Sequence, residues 1–547
     1  MTEPIDHTLR GRWTSQPSTL SPAMMRWLTS RIGDHEPAAG AQPEPTREAL
    51  PQSDLPQSEL AEPALTALRA ALGERNVLSG AAARLGRTGG LAYVDLLRRR
   101  LDEPLALPDA VVTPADPVQV QEVLEVCRKH DVAVVPFGGG TSVVGGVSAL
   151  RGDKPAVIAL DLVRLDKLVE VDPVSRLAVL QAGVRGPAAE RLLAGHGLTL
   201  GHVPQSFERA TIGGFVATRS AGQASAGYGR FEDMVQGLRV ATPAGEWRID
   251  GAPASAAGPD LRRLVCGSEG AFGVVTEVTL RVRPVPTDRY YVGLVLDGWQ
   301  RGIDAVRALA QRPALPDVTR LSDVDETEVG LALGGGMRTR LLRRYLRTRA
   351  VTEPCLLVLG WEETSPRTLA IRRSATMRVL RRFDPVSLGE RAGRAWLRGR
   401  FAGPRQRDAL IAAGICVETL ETATRWSRLT ALAEDIRGAL TTSLSARGVR
   451  PLVMCHISHA YETGASLYFT VLVPRAPHDA IGQWRRAKDT ASEAIVAGGA
   501  TISHHHGIGT EHRPWLATEL GERGVGVLRA VKQSVDPTGI LNPGKLI

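Results

Sequence analysis

Lysine is nearly missing from this chain of 547 residues: six lysines stand against 61 arginines. Cysteine is sparse as well. The five, at Cys127, Cys266, Cys355, Cys416 and Cys455, include no CxxC pair. That spacing signals neither a cysteine zinc site nor a dense disulfide framework, and it fits a reducing compartment. Long apolar runs are absent. Leu356–Trp361 and Tyr290–Leu296 fall far short of the roughly 18 residues a membrane-spanning helix needs. Met1–Thr14 lacks the apolar stretch of a secretory signal. A cytoplasmic location is therefore expected. No RNA- or DNA-binding motif occurs, and the arginines are spread along the chain, so the net charge of +9 does not call for nucleic acid. GC-rich codon usage accounts for much of the arginine excess. The rest fits an anionic partner, either an acidic substrate or an anionic membrane surface.

The length allows two to four domains. A short helix is expected over Pro22–Ile32. After it, residues 34–63 hold six prolines and seven acids against one base, which reads as an extended linker or a segment draped over the surface. From Pro108 to Pro286 strand-like runs alternate with helical spacing: Ala110–Val112, Pro117–His130, Val132–Pro136, Ala156–Asp161, Leu177–Ala182 and Gly273–Val282. Beyond Thr287, strands at Tyr290–Leu296, Cys355–Trp361 and Ser466–Val473 are separated by arginine-rich helices. The first two strands, each followed by a helix, hint at a βαβ unit. The expected division is an N-terminal segment (1–104), a cofactor domain (105–287), a substrate-binding cap (288–500) and a C-terminal segment (501–547). The fold class is α+β with an α/β cap.

Pro136-Phe-Gly-Gly-Gly-Thr-Ser-Val-Val-Gly-Gly146 follows a strand. Consecutive glycines bring backbone N–H groups close to a ligand, and such a nest suits a pyrophosphate. The segment is neither a GxGxxG fingerprint nor a GxxxxGK[ST] loop. A second cluster runs through Gly201–Ser206, Ala210–Gly222 and Tyr228–Asp233, and a third through Cys266–Thr276. Several such loops in one domain suit one large dinucleotide lying among them. Ser503-His-His-His-Gly-Ile-Gly509 is the other unusual string. Three adjacent histidines cannot share one face, and no HExxH or carboxylate at ligand spacing precedes them, so no metal site is expected. A surface loop is one reading. An active-site loop whose imidazoles act as donors or bases is the other. Around Met337–Arg349, arginines alternate with Leu341, Leu342, Tyr345 and Leu346 at helical spacing, as in an ordinary cap helix or a basic amphipathic helix on an anionic bilayer.

The ordered motifs PxGGGTSV, GHxPxS…TxGGxxxTRxxG…YG…ED and GSEGxxGVxTExTxxxRPVP resemble the FAD-binding domain of the vanillyl-alcohol-oxidase/p-cresol-methylhydroxylase flavoproteins. Within that superfamily, from about residue 48 to the C-terminus, they resemble the alkyldihydroxyacetonephosphate synthases. The resemblance implies a two-subdomain FAD-binding domain of the p-cresol-methylhydroxylase type and non-covalent FAD. The FAD would be held by Pro136, Gly138, Gly139, Gly140, Thr141, Ser142, His202, Pro204, Ser206, Thr211, Gly213, Gly214, Thr218, Glu269, Gly270, Gly273 and Val275. It implies acid–base roles for Tyr468 and the loop His504, His505 and His506, and roles beside flavin or substrate phosphate for Arg320 and Arg407. The implied reaction exchanges the acyl chain of acyl-dihydroxyacetone phosphate for a fatty alcohol, with substrate arriving from the inner face of a membrane and a homodimeric assembly. Thr510 stands where the animal enzymes carry lysine, which puts the substrate in question. The ending Asp536–Lys545 resembles the D-2-hydroxyacid dehydrogenases of the same superfamily, so FAD-dependent oxidation of a D-2-hydroxy acid is the alternative.

Overall fold

The computed structural model describes residues 13, 19–33, 55–101 and 105–547. Most of the anticipated linker (34–54) and the expected end of the N-terminal segment at 104 lie outside the described residues. The helix Pro22–Ile32 forms as expected. Ser21 caps it by accepting from Met24 N, and Met24, Leu28 and Ile32 are buried at a spacing of four.

The first sheet holds β1 (Val77–Leu78), β2 (Ala110–Val112), β3 (Val132–Phe137) and β4 (Ala156–Asp161), in the order β1-β2-β4-β3. β2, β4 and β3 run parallel. β2 and β4 are buried throughout and β3 nearly so, which is why they read as continuous apolar runs. The crossover from β2 to β3 is the helix Pro117–Lys129. Asp116 accepts from Gln119 N at its start, and Val120, Val123, Leu124 and Cys127 form its buried stripe.

The second sheet is antiparallel and takes β5 (Leu168–Asp172) and β6 (Leu177–Gln181). After the short β7 (Leu198–Thr199) it adds β8 (Val235–Thr242), β9 (Gly245–Ile249) and β10 (Val274–Arg281), in the order β5-β6-β10-β8-β9. β11 (Arg283–Pro284) pairs with β7. One hydrophobic cluster joins both sheets, drawing in Leu68 and Leu72 from the N-terminal side and Ile540 and Leu541 from the C-terminus.

The remaining strands are β12 (Asp288–Asp297), β13 (Val318–Ser322), β14 (Pro354–Glu363), β15 (Val386–Leu388), β16 (Ile415–Arg425), β17 (Leu452–Ile457) and β18 (Gly464–Pro474). They form one antiparallel seven-stranded sheet in the order β15-β12-β14-β13-β17-β18-β16. The hinted βαβ pairing is not what forms. β12 and β14 are antiparallel neighbours, and β14 inserts between β12 and β13, which run in the same direction. This is a split crossover, and β13 is its unseen member: five residues carrying Thr319, Arg320 and Ser322 do not read as a core strand. A second cluster covers this sheet and includes Leu28, Ile32, Leu91, Tyr93, Leu96 and Leu97, so the N-terminal helices pack on the cap. All five cysteines are free and buried.

Candidate active site

Pro136 stands near the end of β3, and the first glycine loop leaves that strand at Gly138. A Cβ on Gly138 would lie 2.4 Å from Thr211 Oγ1, and one on Gly139 would lie 2.2 Å from Arg209 O. Any side chain here would separate the first loop from the second. Among the described residues, the main-chain N–H groups of Gly138, Gly139, Thr141 and Ser142 donate to no protein acceptor. Gly140 is in the left-handed region at φ +61°. A row of undirected N–H donors on a loop packed this tightly is the cradle a pyrophosphate requires, so the residues present fit a dinucleotide.

In the second cluster, Thr211 caps the helix Ile212–Ala217, with Gly213 and Gly214 in its first turn, and Gly214 N donates to Thr211 Oγ1. Thr218 donates its hydroxyl to Gly214 O. Pro204 and Ser206 form the preceding turn, where Ser206 O accepts from Arg209 N and Ala210 N. In the third, a Cβ on Gly270 (φ +80°) would lie 2.8 Å from the Pro136 ring, which places this loop against β3. Gly273 precedes β10, and Val275 sits beside a bulge in that strand. Glu269 turns inward, where its carboxylate accepts from Ile508 N and Gly509 N at 2.8–3.0 Å. Burial pushes its carboxyl up to about 7, against those hydrogen bonds and Lys545.

The histidine loop meets all three clusters. Thr510 N donates to Val144 O of the first loop at 3.0 Å. Arg230 of the second donates to His504 O at 2.6 Å. Glu269 of the third holds Ile508 and Gly509. Asn542 closes the arrangement by donating to Gly146 O at 3.1 Å and to Glu269 O at 2.6 Å. Thr510 Oγ1 packs against Gly145.

The cap faces this loop with one row across its sheet. Ser322 pairs with His456, His456 with Tyr468, and Tyr468 with Glu421. Directly opposed residues of antiparallel strands share a face, so β13, β17, β18 and β16 each present one polar side chain together. The His456 and Tyr468 rings stack with centroids 4.7 Å apart. Tyr468 is 5.6 Å from the His506 ring and 6.3 Å from that of His505. Burial raises the Tyr468 phenol above its ordinary value. Burial lowers His504 and lowers His506 further. His505 has 19% of its side chain exposed against 4% for His504, and His506 is half-buried like His505. Tyr461 Oη lies 2.7 Å from His504 Nε2, and the His459 ring stacks on that of His504.

Arg320 lies two residues before Ser322 on the same face of β13. It donates to Glu326 at 2.7 Å and lies 3.1 Å from His456 Nδ1. Burial alone would raise Glu326, but Arg320 and His456 hold it below its ordinary range. Arg407 is on the helix Gly403–Ala412, donates to Leu91 O at 2.8 Å and has a buried Nε without a partner. His202 is buried against Phe215 and Phe231, with Nε2 3.0 Å from Ser220 Oγ. Burial and the nearby His505 push it down to about 3.

Sequence reasoning missed Glu421, His456, His459, Tyr461 and Glu326. The available signal was histidine density: seven of the twelve histidines fall within residues 456–512. Ligand-type atoms of Glu421, His505 and His506 lie within 4.8 Å of one another, as do those of His459, His504 and His505. One Glu421 oxygen is already taken by backbone donors, which makes this a histidine–carboxylate network rather than a cage.

Residues 108–250 match the FAD binding domain family, and residues 285–546 match the C-terminal domain of FAD linked oxidases. The chain is 31% identical over 508 residues to the alkyldihydroxyacetonephosphate synthase of Trypanosoma brucei brucei, covering 90% of this chain and 82% of that protein. A solved alkyldihydroxyacetonephosphate synthase superposes with a TM-score of 0.80 at 25% identity, covering 96% of this chain and 92% of that one. p-Cresol methylhydroxylase shares the fold, with a TM-score of 0.67 at 16% identity, over 90% of this chain and 98% of that one. The chain is therefore an FAD enzyme and belongs to the alkyldihydroxyacetonephosphate synthase family of FAD-linked oxidases.

Proposed function

We propose that the chain exchanges the acyl chain of an acyl-dihydroxyacetone phosphate for a fatty alcohol, releasing a fatty acid and forming an ether bond. The observation that carries this reading is the meeting of Tyr468 and the intact Ser503–Gly509 loop beside the three glycine clusters, in a chain of this family. FAD, when bound, supplies a ring that accepts electron density from a substrate carbon. The first loop would hold its pyrophosphate through the backbone N–H groups of Gly138, Gly139, Thr141 and Ser142. Tyr468 keeps its proton at neutral pH and moves it at the substrate carbon beside the carbonyl. His505, with 19% of its side chain exposed, takes the proton of the incoming alcohol. Arg407 and Arg320 supply positive charge for the substrate phosphate, Arg320 while shared with Glu326.

Lipid substrates are drawn from an anionic membrane surface by the helix Gly336–Thr348. Its Leu346 is buried under the cap, whereas Met337, Leu341 and Tyr345 are exposed among arginines. No helix among the described residues is long and apolar enough to cross a membrane.

The test is an anaerobic assay of the FAD-loaded enzyme with radiolabelled fatty alcohol. Labelled ether product without lasting loss of flavin absorbance is expected. Absence of product together with bleaching by D-lactate, D-2-hydroxyglutarate or glycolate would replace the proposal with hydroxyacid oxidation.

A further inference from the structure

Glu421 has no exposed side-chain surface and sits on β16 directly opposite Tyr468. Oε1 accepts the main-chain N–H groups of His504, His505 and His506 at 2.5–2.8 Å and the Ser503 hydroxyl at 3.2 Å. Three consecutive N–H groups converging on one oxygen fold the triplet around that atom. The same convergence explains how three adjacent imidazoles point in different directions. Oε2 makes no hydrogen bond of good geometry, yet it lies 2.8 Å from His505 Nδ1 and 3.4 Å from His504 Nδ1. An ionised carboxylate has only lone pairs to offer, and the His504 and His505 Nδ1 atoms lie 3.1 Å apart, so at least one of the two Nδ1 atoms carries hydrogen.

We propose that Glu421 is a positioning residue, which moulds the histidine loop through its backbone and serves as the fixed counter-ion of an imidazole that gains a proton during turnover. The other groups facing the loop are cationic or neutral. Lys488 approaches from the helix Ala480–Ala497, and Arg230 holds His504 O. His459 and Tyr461 come from the β17–β18 connection, Tyr468 and His456 from the strands themselves, and His202 and His512 from beneath. The nearby carboxyls are committed elsewhere, Glu269 to Ile508 N and Gly509 N, Glu511 to Lys488 and Glu326 to Arg320. Burial would raise the Glu421 carboxyl, but His505, His506 and the contacts from His504 and His505 hold it well below the usual range. Four donors converging on Oε1 favour the ionised form.

The test uses the FAD-loaded enzyme without substrate, so it stands or falls apart from the proposed reaction. Diethyl pyrocarbonate acylates unprotonated imidazole, and mass spectrometry follows it on the peptide spanning 503–509 as pH varies. Glu421→Gln keeps a carbonyl for the three N–H groups and removes the charge. Its reaction midpoint should fall by about one pH unit, and Glu421→Asp should restore it. In turnover, kcat of Glu421→Gln should fall about 100-fold with KM nearly unchanged. A Gln variant with the unmutated midpoint and pH–rate profile overturns the proposal. Histidine-selective 15N NMR of the unmutated enzyme needs no variant. It should show one loop imidazole protonated at Nδ1, and a loop with all three protonated only at Nε2 overturns it equally.

Discussion

Tyr468 and His456 stack on one face of the cap sheet, so the tyrosine ring is held by packing, and in the proposed reaction its hydroxyl moves the proton. Tyr468→Phe should therefore keep the fold and the flavin spectrum while kcat drops about 100-fold, measured with thermal melting as the control. Two buried histidines bear on acid stability. His202, pushed down to about 3 chiefly by burial, and His512, pushed down to about 3 by burial and Lys488, stay neutral in the fold but bind protons once unfolded near 6.5. Depressed values mean stability present above about pH 6.5 and lost as pH falls toward 3. Urea midpoints at a neutral and an acid pH should show a smaller acid loss for His202→Asn than for the unmutated protein. An unchanged loss would contradict this. At this scale the histidine triplet was legible because its composition is unusual. Glu421 was not, because a glutamate among the threonines of a strand carries no mark until the register places it opposite Tyr468.

At the scale of elements, Asn542 ties the C-terminal turn to the first and third loops through one side chain with 2% exposure. Asn542→Ala leaves two buried carbonyls without their donor, at a cost of about 1–3 kcal/mol each. The purified variant should retain less FAD per chain, read from absorbance. The helix Gly336–Thr348 offers a different experiment. Leu341 and Tyr345 are 59% and 43% exposed, so Leu341→Glu with Tyr345→Glu should leave melting unchanged and abolish flotation with anionic vesicles. Failure of the unmutated protein to float would remove the membrane contact. Apolar strands such as β4 and β12 were legible within a residue or two. β13 was hidden, since only Val318 and Leu321 of its five residues are apolar and its place comes from pairing with β14 and β17. Strand direction was hidden for the same reason: an apolar run marks a strand and says nothing of its neighbour.

Across the whole molecule, the two sheet systems meet at a polar seam. Tyr228 and Tyr291 donate to the two oxygens of Glu362, and Arg372 bridges Asp317 and Glu363. Gly227 is pressed against this seam, where a Cβ would stand 1.8 Å from Asp317 Oδ1. Gly227→Ala must push the seam apart, with a loss of about 1–3 kcal/mol and a lower melting temperature. The sequence carries an arginine-heavy charge. Its structural use is visible in such bridges, where the planar guanidinium reaches two carboxylates at once.

The parallel bridge between Val134 and Leu541, flanked by Val134 N donating to Ile540 O and Asn542 N donating to Val134 O, has a consequence for biosynthesis. The strand that launches the first glycine loop is bordered by residues translated some 400 positions later. While the ribosome still holds residues 540–542, the parallel core can gather but its edge stays open. Completion of the flavin site thus waits on residues 540–542, and a nascent chain stalled before residue 540 should emerge colourless.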